Sequence, residues 1–148
     1  MRATFLPVNR AALDRVLQFM SRLYEHDELA YSPARARSAS EWLLANPESG
    51  AIWLIEADGK DAGYIVVTVC VSIEFGGRFA LLDELYLDPP WRGQGIAAQA
   101  IDFAAAWAAS RAISALRLET AVDNAHAIHV YRKSGFTVDS RHLMTKWL

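Results

Sequence analysis

The stretch Arg92-Gly-Gln-Gly-Ile-Ala97 stands directly ahead of an alanine-rich run that ends at Ser110. The chemistry open to such a stretch is anion binding. The first turn of a helix carries backbone N–H groups with no intrahelical partner, and the aligned peptide dipoles make that end positive. Together they form a seat for a phosphate group. Gly93 and Gly95 leave the backbone bare, Arg92 and Gln94 flank it, and Ile96 and Ala97 open the helix with free amides. The stretch lacks the Lys-Ser/Thr pair of a nucleoside-triphosphate loop. It also follows a strand reached through hairpins, and no acidic residue closes a later strand at the dinucleotide spacing. Alone, a Gly-x-Gly turn is equally an ordinary loop entering a helix.

Groups able to move protons lie on either side of this turn. Glu84 is on the strand that leads into it, and Glu119 is on the strand that leads to Asn124. Both approach the same gap, whereas Asp83 is set opposite Glu84 by strand alternation. Each carboxylate is equally explained as solvated or as paired with Arg78 or Arg117. Tyr131 lies on a helix that Asn124 caps and Gly135 ends. His126 and His129 share that helix without a third ligand at metal spacing, so no metal is expected. Near the N-terminus, Tyr24, Glu25 and Asp27 end another helix, where carboxylates oppose the dipole. With Glu84 and Glu119 they make an acidic cleft suited to a cationic amine, or simply a solvated helix end.

The elements that position these groups follow from the chain pattern. A strand at Thr4–Leu6 precedes a helix from about Arg10 to Glu28, capped by Asn9, with Leu13, Val16, Leu17, Met20 and Leu23 on one face. A second helix is expected from near Ser38, where Ser38 and Glu41 fit a capping box, and it ends before Pro47. Strands follow at Ala51–Ala57, Gly63–Ile73 and Phe79–Leu87, joined by tight turns that favour antiparallel pairing. A helix from Ile96 to about Ser110, a strand at Ser114–Thr120 and a helix from Asn124 to about Lys133 complete the middle. Phe136–Val138 and Met144–Leu148 are expected as final strands. The order is a mixed α/β domain.

With 148 residues, 53% of them hydrophobic, the chain is expected to form one domain over 1–148. A net charge of −2 argues against a nucleic-acid partner. No apolar run suggests a leader or a membrane span, so a cytoplasmic location is expected. Cys70 is the single cysteine, which excludes an internal disulfide.

Two segments, LYLDPPWRGQGIA and NAHAIHVYRKSGF, together resemble the Gcn5-related N-acetyltransferases. That family's R/Q-x-x-G-x-G/A signature falls on Arg92, Gly95 and Ala97, with alanine as the permitted variant at the last position. Its N-x-x-A and Y-x-x-x-G-F segment falls on Asn124, Ala127, Tyr131, Gly135 and Phe136. The resemblance is specific between Asp83 and Phe136 and holds only in outline before that. It implies a mostly antiparallel sheet splayed between two middle strands, with about four helices. It implies acetyl-CoA as co-substrate, its pyrophosphate on the amides from Arg92 to Ala97 and its pantetheine arm beside Leu85, Tyr86 and Leu87. Asn124 would also touch the cofactor. Tyr131 takes the general-acid position, Glu84 or Glu119 serves as base, and Tyr24, Glu25 and Asp27 line the acceptor side. The reaction implied is acetyl transfer to a primary amine, on a small molecule or a protein, by direct attack. The rivals are a non-catalytic acyl-CoA-binding sensor module and a toxin-type enzyme that acetylates aminoacyl-tRNA. A homodimer is one expectation, with Met144–Leu148 pairing across subunits or closing the chain's own sheet.

Overall fold

In the computed structural model, which describes residues 1–148, the strand β1 (Ala3–Pro7) leads into a single 3-10 turn at Arg10–Ala12. Asn9 caps that turn by accepting from the Ala12 N–H at 3.0 Å, and the chain continues into α1 (Leu13–His26). α1 buries Leu13, Val16, Phe19 and Met20 along one stripe, as the spacing of apolar positions requires. α2 spans Pro33–Ala45, starting well before the expected capping box. Ser32 is the cap and Pro33 the first helical residue, a position where proline loses nothing because its missing N–H would be an orphan. Ser40 is instead buried inside the helix and donates to the Ala36 carbonyl at 2.8 Å.

The sheet is built from β1, β2 (Gly50–Ala57), β3 (Lys60–Ser72), β4 (Gly77–Leu87) and β5 (Leu116–Leu118), in that spatial order. The first four pair antiparallel and β5 pairs parallel to β4. Asp58 and Gly59 link β2 to β3 with φ of 50° and 69°, the two left-handed residues that a tight hairpin turn demands. α3 (Ile96–Ala109) provides the crossover to β5, and α4 (Ala125–Lys133) follows.

Strand alternation divides the core between the two faces of the sheet. Trp53, Ile55, Ile65, Val67 and Leu82 pack with Ile96, Ala100, Ile101 and Ala104 of α3. Ile52, Leu54, Tyr64, Val66 and Tyr86 pack with α1 and with Leu43 of α2.

Two local features open the middle of the sheet. The β3–β4 register steps from Val67↔Leu82 to Val66↔Glu84, so Asp83 is an extra, bulged residue. The bulge flips the alternation: Leu82 joins the α3 face, whereas Glu84 turns to the α1 face. Beyond Leu82, β4 loses β5 altogether, because their pairing covers only Ala80↔Leu116 to Leu82↔Leu118. β4 stays close to β3 at this point because of Gly63, where any Cβ would lie 1.9 Å from the Tyr86 carbonyl oxygen.

No strand forms at Phe136–Val138 or Met144–Leu148. Val138, Leu143, Met144, Trp147 and Leu148 are exposed. Apolar residues make a strand only against a neighbouring ladder, and the three-residue β5 offers little of one. Side chains hold the segment instead, through Arg117–Asp139 at 3.2 Å and Arg141–Glu74 at 2.6 Å.

Candidate functional site

The glycine turn folds as its composition demands. Gly93 and Gly95 have φ of 71° and 78°, the left-handed region that side chains resist. A Cβ on either would project into open space, with no protein atom within 4 Å. No backbone carbonyl accepts from the amides of Gly93 through Ala98, and α3 begins with no side-chain cap. The Arg92 Nε donates to the Leu87 carbonyl at 2.8 Å, and its guanidinium lies 5.5 Å from the Tyr86 ring centre. Gln94 donates to the Pro90 carbonyl at 2.7 Å. Both side chains brace the loop, a role their sequence position did not disclose.

Next to this turn runs the free edge of β4. The Asp88 N–H donates to the Ala62 carbonyl at 2.9 Å, on the β3 side. Alternation therefore aims the Leu85 and Leu87 amides the other way, into the gap left by β5. An open strand edge and an uncapped helix N-terminus thus adjoin, one suited to amide-like groups and the other to an anion.

On the α1 face, Glu84 is half-buried and doubly bonded. Tyr24 of α1 donates to its Oε1 at 2.7 Å, and Tyr64 of β3 donates to its Oε2 at 2.8 Å. Burial, the bond to Glu84 and its charge all push the Tyr24 phenol up from its ordinary value. Tyr64 is pushed up by burial first and by Glu84 second. Tyr31 stacks edge-on against Tyr24 at 5.4 Å and donates to the Leu17 carbonyl at 3.2 Å. Asp83 is exposed at its bulge, yet loss of water around its carboxyl, with the charges of Glu84 and Glu119, raises it above the usual carboxylate range.

Tyr131 is half-buried on α4, its ring 5.9 Å from Phe136. Burial pushes its phenol up, and the charge of Asp27 adds to the rise. Asn124 accepts from the Ala127 N–H at 3.1 Å, the capping role that its residue type favours.

The structure therefore joins Tyr24 to Glu84 and brings Asp27 within electrostatic reach of Tyr131. Glu119 is exposed beyond β5 and joins the acidic group through its charge on Asp83. Glu25 is exposed. Sequence reasoning missed Tyr64 and Tyr31. Tyr64 reads as one more aromatic in an apolar strand, and only the bulged register places it beside Glu84. No group of three or more His, Cys, Asp or Glu side chains is arranged to hold a metal ion. Two shallow grooves, one along Ala34, Arg35, Ser38 and Trp42 of α2 and one between Asn9 and Leu44, include none of these residues.

The profile of the acetyltransferase (GNAT) family matches residues 13–136, which takes in both the bare turn and the Tyr131 helix. The chain belongs to this family. An uncharacterized N-acetyltransferase of Methanocaldococcus jannaschii is 28% identical over 148 residues, 98% of this chain and 64% of its own length. The chain thus spans a little under two thirds of that relative. An integron cassette protein from the mobile metagenome of Cole Harbour Salt Marsh superimposes with a TM-score of 0.86 and 28% identity, covering 97% of this chain and 90% of its own. A predicted acetyltransferase from Clostridium acetobutylicum, crystallised with acetyl-CoA, shares the fold at a TM-score of 0.83 and 17% identity, covering 98% and 96%. In this GNAT protein the strands that part are β4 and the short edge strand β5. No helix is long and apolar enough to cross a membrane.

Proposed function

We propose that the chain is an acetyl-CoA-dependent N-acetyltransferase for a primary amine that carries positive charge. The observation that carries this reading is the junction of the free β4 edge at Leu85–Leu87 with the unpartnered amides of Gly93–Ala98. The open space above Gly93 and Gly95 suits a pyrophosphate pressed against bare backbone. Bound acetyl-CoA supplies an acetyl group already activated as a thioester. The amides of Leu85 and Leu87 would align the arm and polarise the thioester carbonyl, an oxyanion-type contribution.

The chain's own groups then handle the protons. An aliphatic amine has a pKa of about 10 and reaches the site protonated at neutral pH. Glu84, fixed on the acceptor face, is the first candidate to accept that proton directly or through water, with Glu119 as the second. Tyr131 would protonate the departing thiolate. Asp27, Asp83, Glu84 and Glu119 together give the cleft a negative character that favours a cationic acceptor.

Two measurements test this. Acetyl-CoA at about 100 times its Kd should raise the Tm by roughly 5–10 °C. Thiol release from acetyl-CoA, followed across a panel of amines, should then single out cationic acceptors. No thermal shift at saturating cofactor would remove the reading. A shift without thiol release from any amine would replace it with a binding module.

A further inference from the structure

The two phenols on Glu84 call for an explanation that packing does not give. Tyr64 is fully buried among Leu54, Val66, Phe19 and Tyr86, where a phenylalanine would fill the same space. A hydroxyl placed there without a partner is costly, and the partner it has is Glu84 Oε2. Tyr24 reaches the same carboxylate from the opposite side, off a helix rather than a strand, and Tyr31 backs its ring. Donors on two separate elements hold both oxygens, which fixes the plane of a side chain that otherwise rotates freely.

The choice of donor matters as much as the geometry. No Lys or Arg forms an ion pair with Glu84, although seven arginine–carboxylate contacts occur elsewhere in the chain. A phenol orients a carboxylate without cancelling its charge, as a guanidinium would. Each oxygen also keeps lone-pair capacity after accepting one phenol. Asp83 beside it on β4 and Tyr31 ahead of α2 are the other titratable groups whose charges couple to it, and Tyr31 spends its O–H on Leu17.

We infer that Tyr64 and Tyr24 are positioning residues, which hold Glu84 as an oriented, unneutralised carboxylate for the ammonium group of the acceptor. This inference rests on the acetyltransferase reading above. It accounts for a buried strand tyrosine whose hydroxyl the fold does not need.

A kinetic double-mutant cycle tests it, using the full chain and the best amine from the panel. Tyr64→Phe and Tyr24→Phe should each lower kcat/KM for the amine by about 10-fold, the range for a hydrogen bond to a charged group. The KM for acetyl-CoA should stay unchanged. In a Glu84→Gln background, neither phenylalanine should cost more than about 2-fold, because the charge through which both act is gone. Independent, multiplying losses would overturn the inference, as would wild-type turnover in Glu84→Gln or a parallel change in acetyl-CoA KM. Should Tyr64→Phe fail to fold, Tyr24→Phe at the half-exposed rim supplies the same cycle. Wild-type chain that turns over no amine would sink the acetyltransferase reading itself, and this inference with it. Turnover with multiplying losses removes only the positioning role.

Discussion

The phenol of Tyr131 has its proton held by burial and by the charge of Asp27. A group that must give up a proton works only below its own pKa, so a raised value extends activity upward in pH. We expect kcat to show no fall from phenol ionisation up to about pH 10, the ordinary tyrosine value. Tyr131→Phe should leave acetyl-CoA binding intact and slow thiol release by about 100-fold or more, the usual range for a lost general acid. Equal turnover in the two proteins would strip Tyr131 of that role. The motif residues Arg92, Gly95, Asn124 and Tyr131 were legible because each sits at a fixed offset from its neighbours. Tyr64 was not, since its meaning depends on which residue lies across the hairpin.

Among the elements, the strands and α3 were readable from β-branched runs and from the recurrence of small apolar residues. The start of α2 lies at Pro33 rather than near Ser38, because Ser32 caps the helix and the fixed φ of Pro33 suits its first turn, whereas the capping-box pattern at Ser38 and Glu41 falls inside the helix. The bulge at Asp83 was invisible because alternation has no marker for one extra residue, yet it is what turns Glu84 toward α1. The entry to α3 supports a sharper prediction. Gly95→Val forces a left-handed backbone at a cost of about 1–2 kcal/mol, so the unliganded Tm should drop by only a few degrees. Its side chain would also enter the open space above the amides. We expect the acetyl-CoA thermal shift to vanish in this variant, and a preserved shift would move the anion seat elsewhere.

For the molecule as a whole, all five tyrosines, Tyr24, Tyr31, Tyr64, Tyr86 and Tyr131, have phenols raised above their ordinary value, with burial the first cause in each. A raised folded value means that the stabilisation is complete below the unfolded pKa of about 10 and is lost as pH climbs through the folded one. Ultraviolet titration should therefore show little phenolate near pH 10, followed by a steep rise that coincides with loss of near-ultraviolet circular dichroism. A smooth titration centred at 10 would mean that these phenols are solvated. The parting of β4 from β5 has its own bearing on handling the protein. Peptide N–H groups at Leu85 and Leu87 that lack a strand partner are an invitation to stray strands from neighbouring molecules. Coenzyme A seated there would act as a sheath, so concentrated solutions lacking it should scatter more light on storage than those supplied with it.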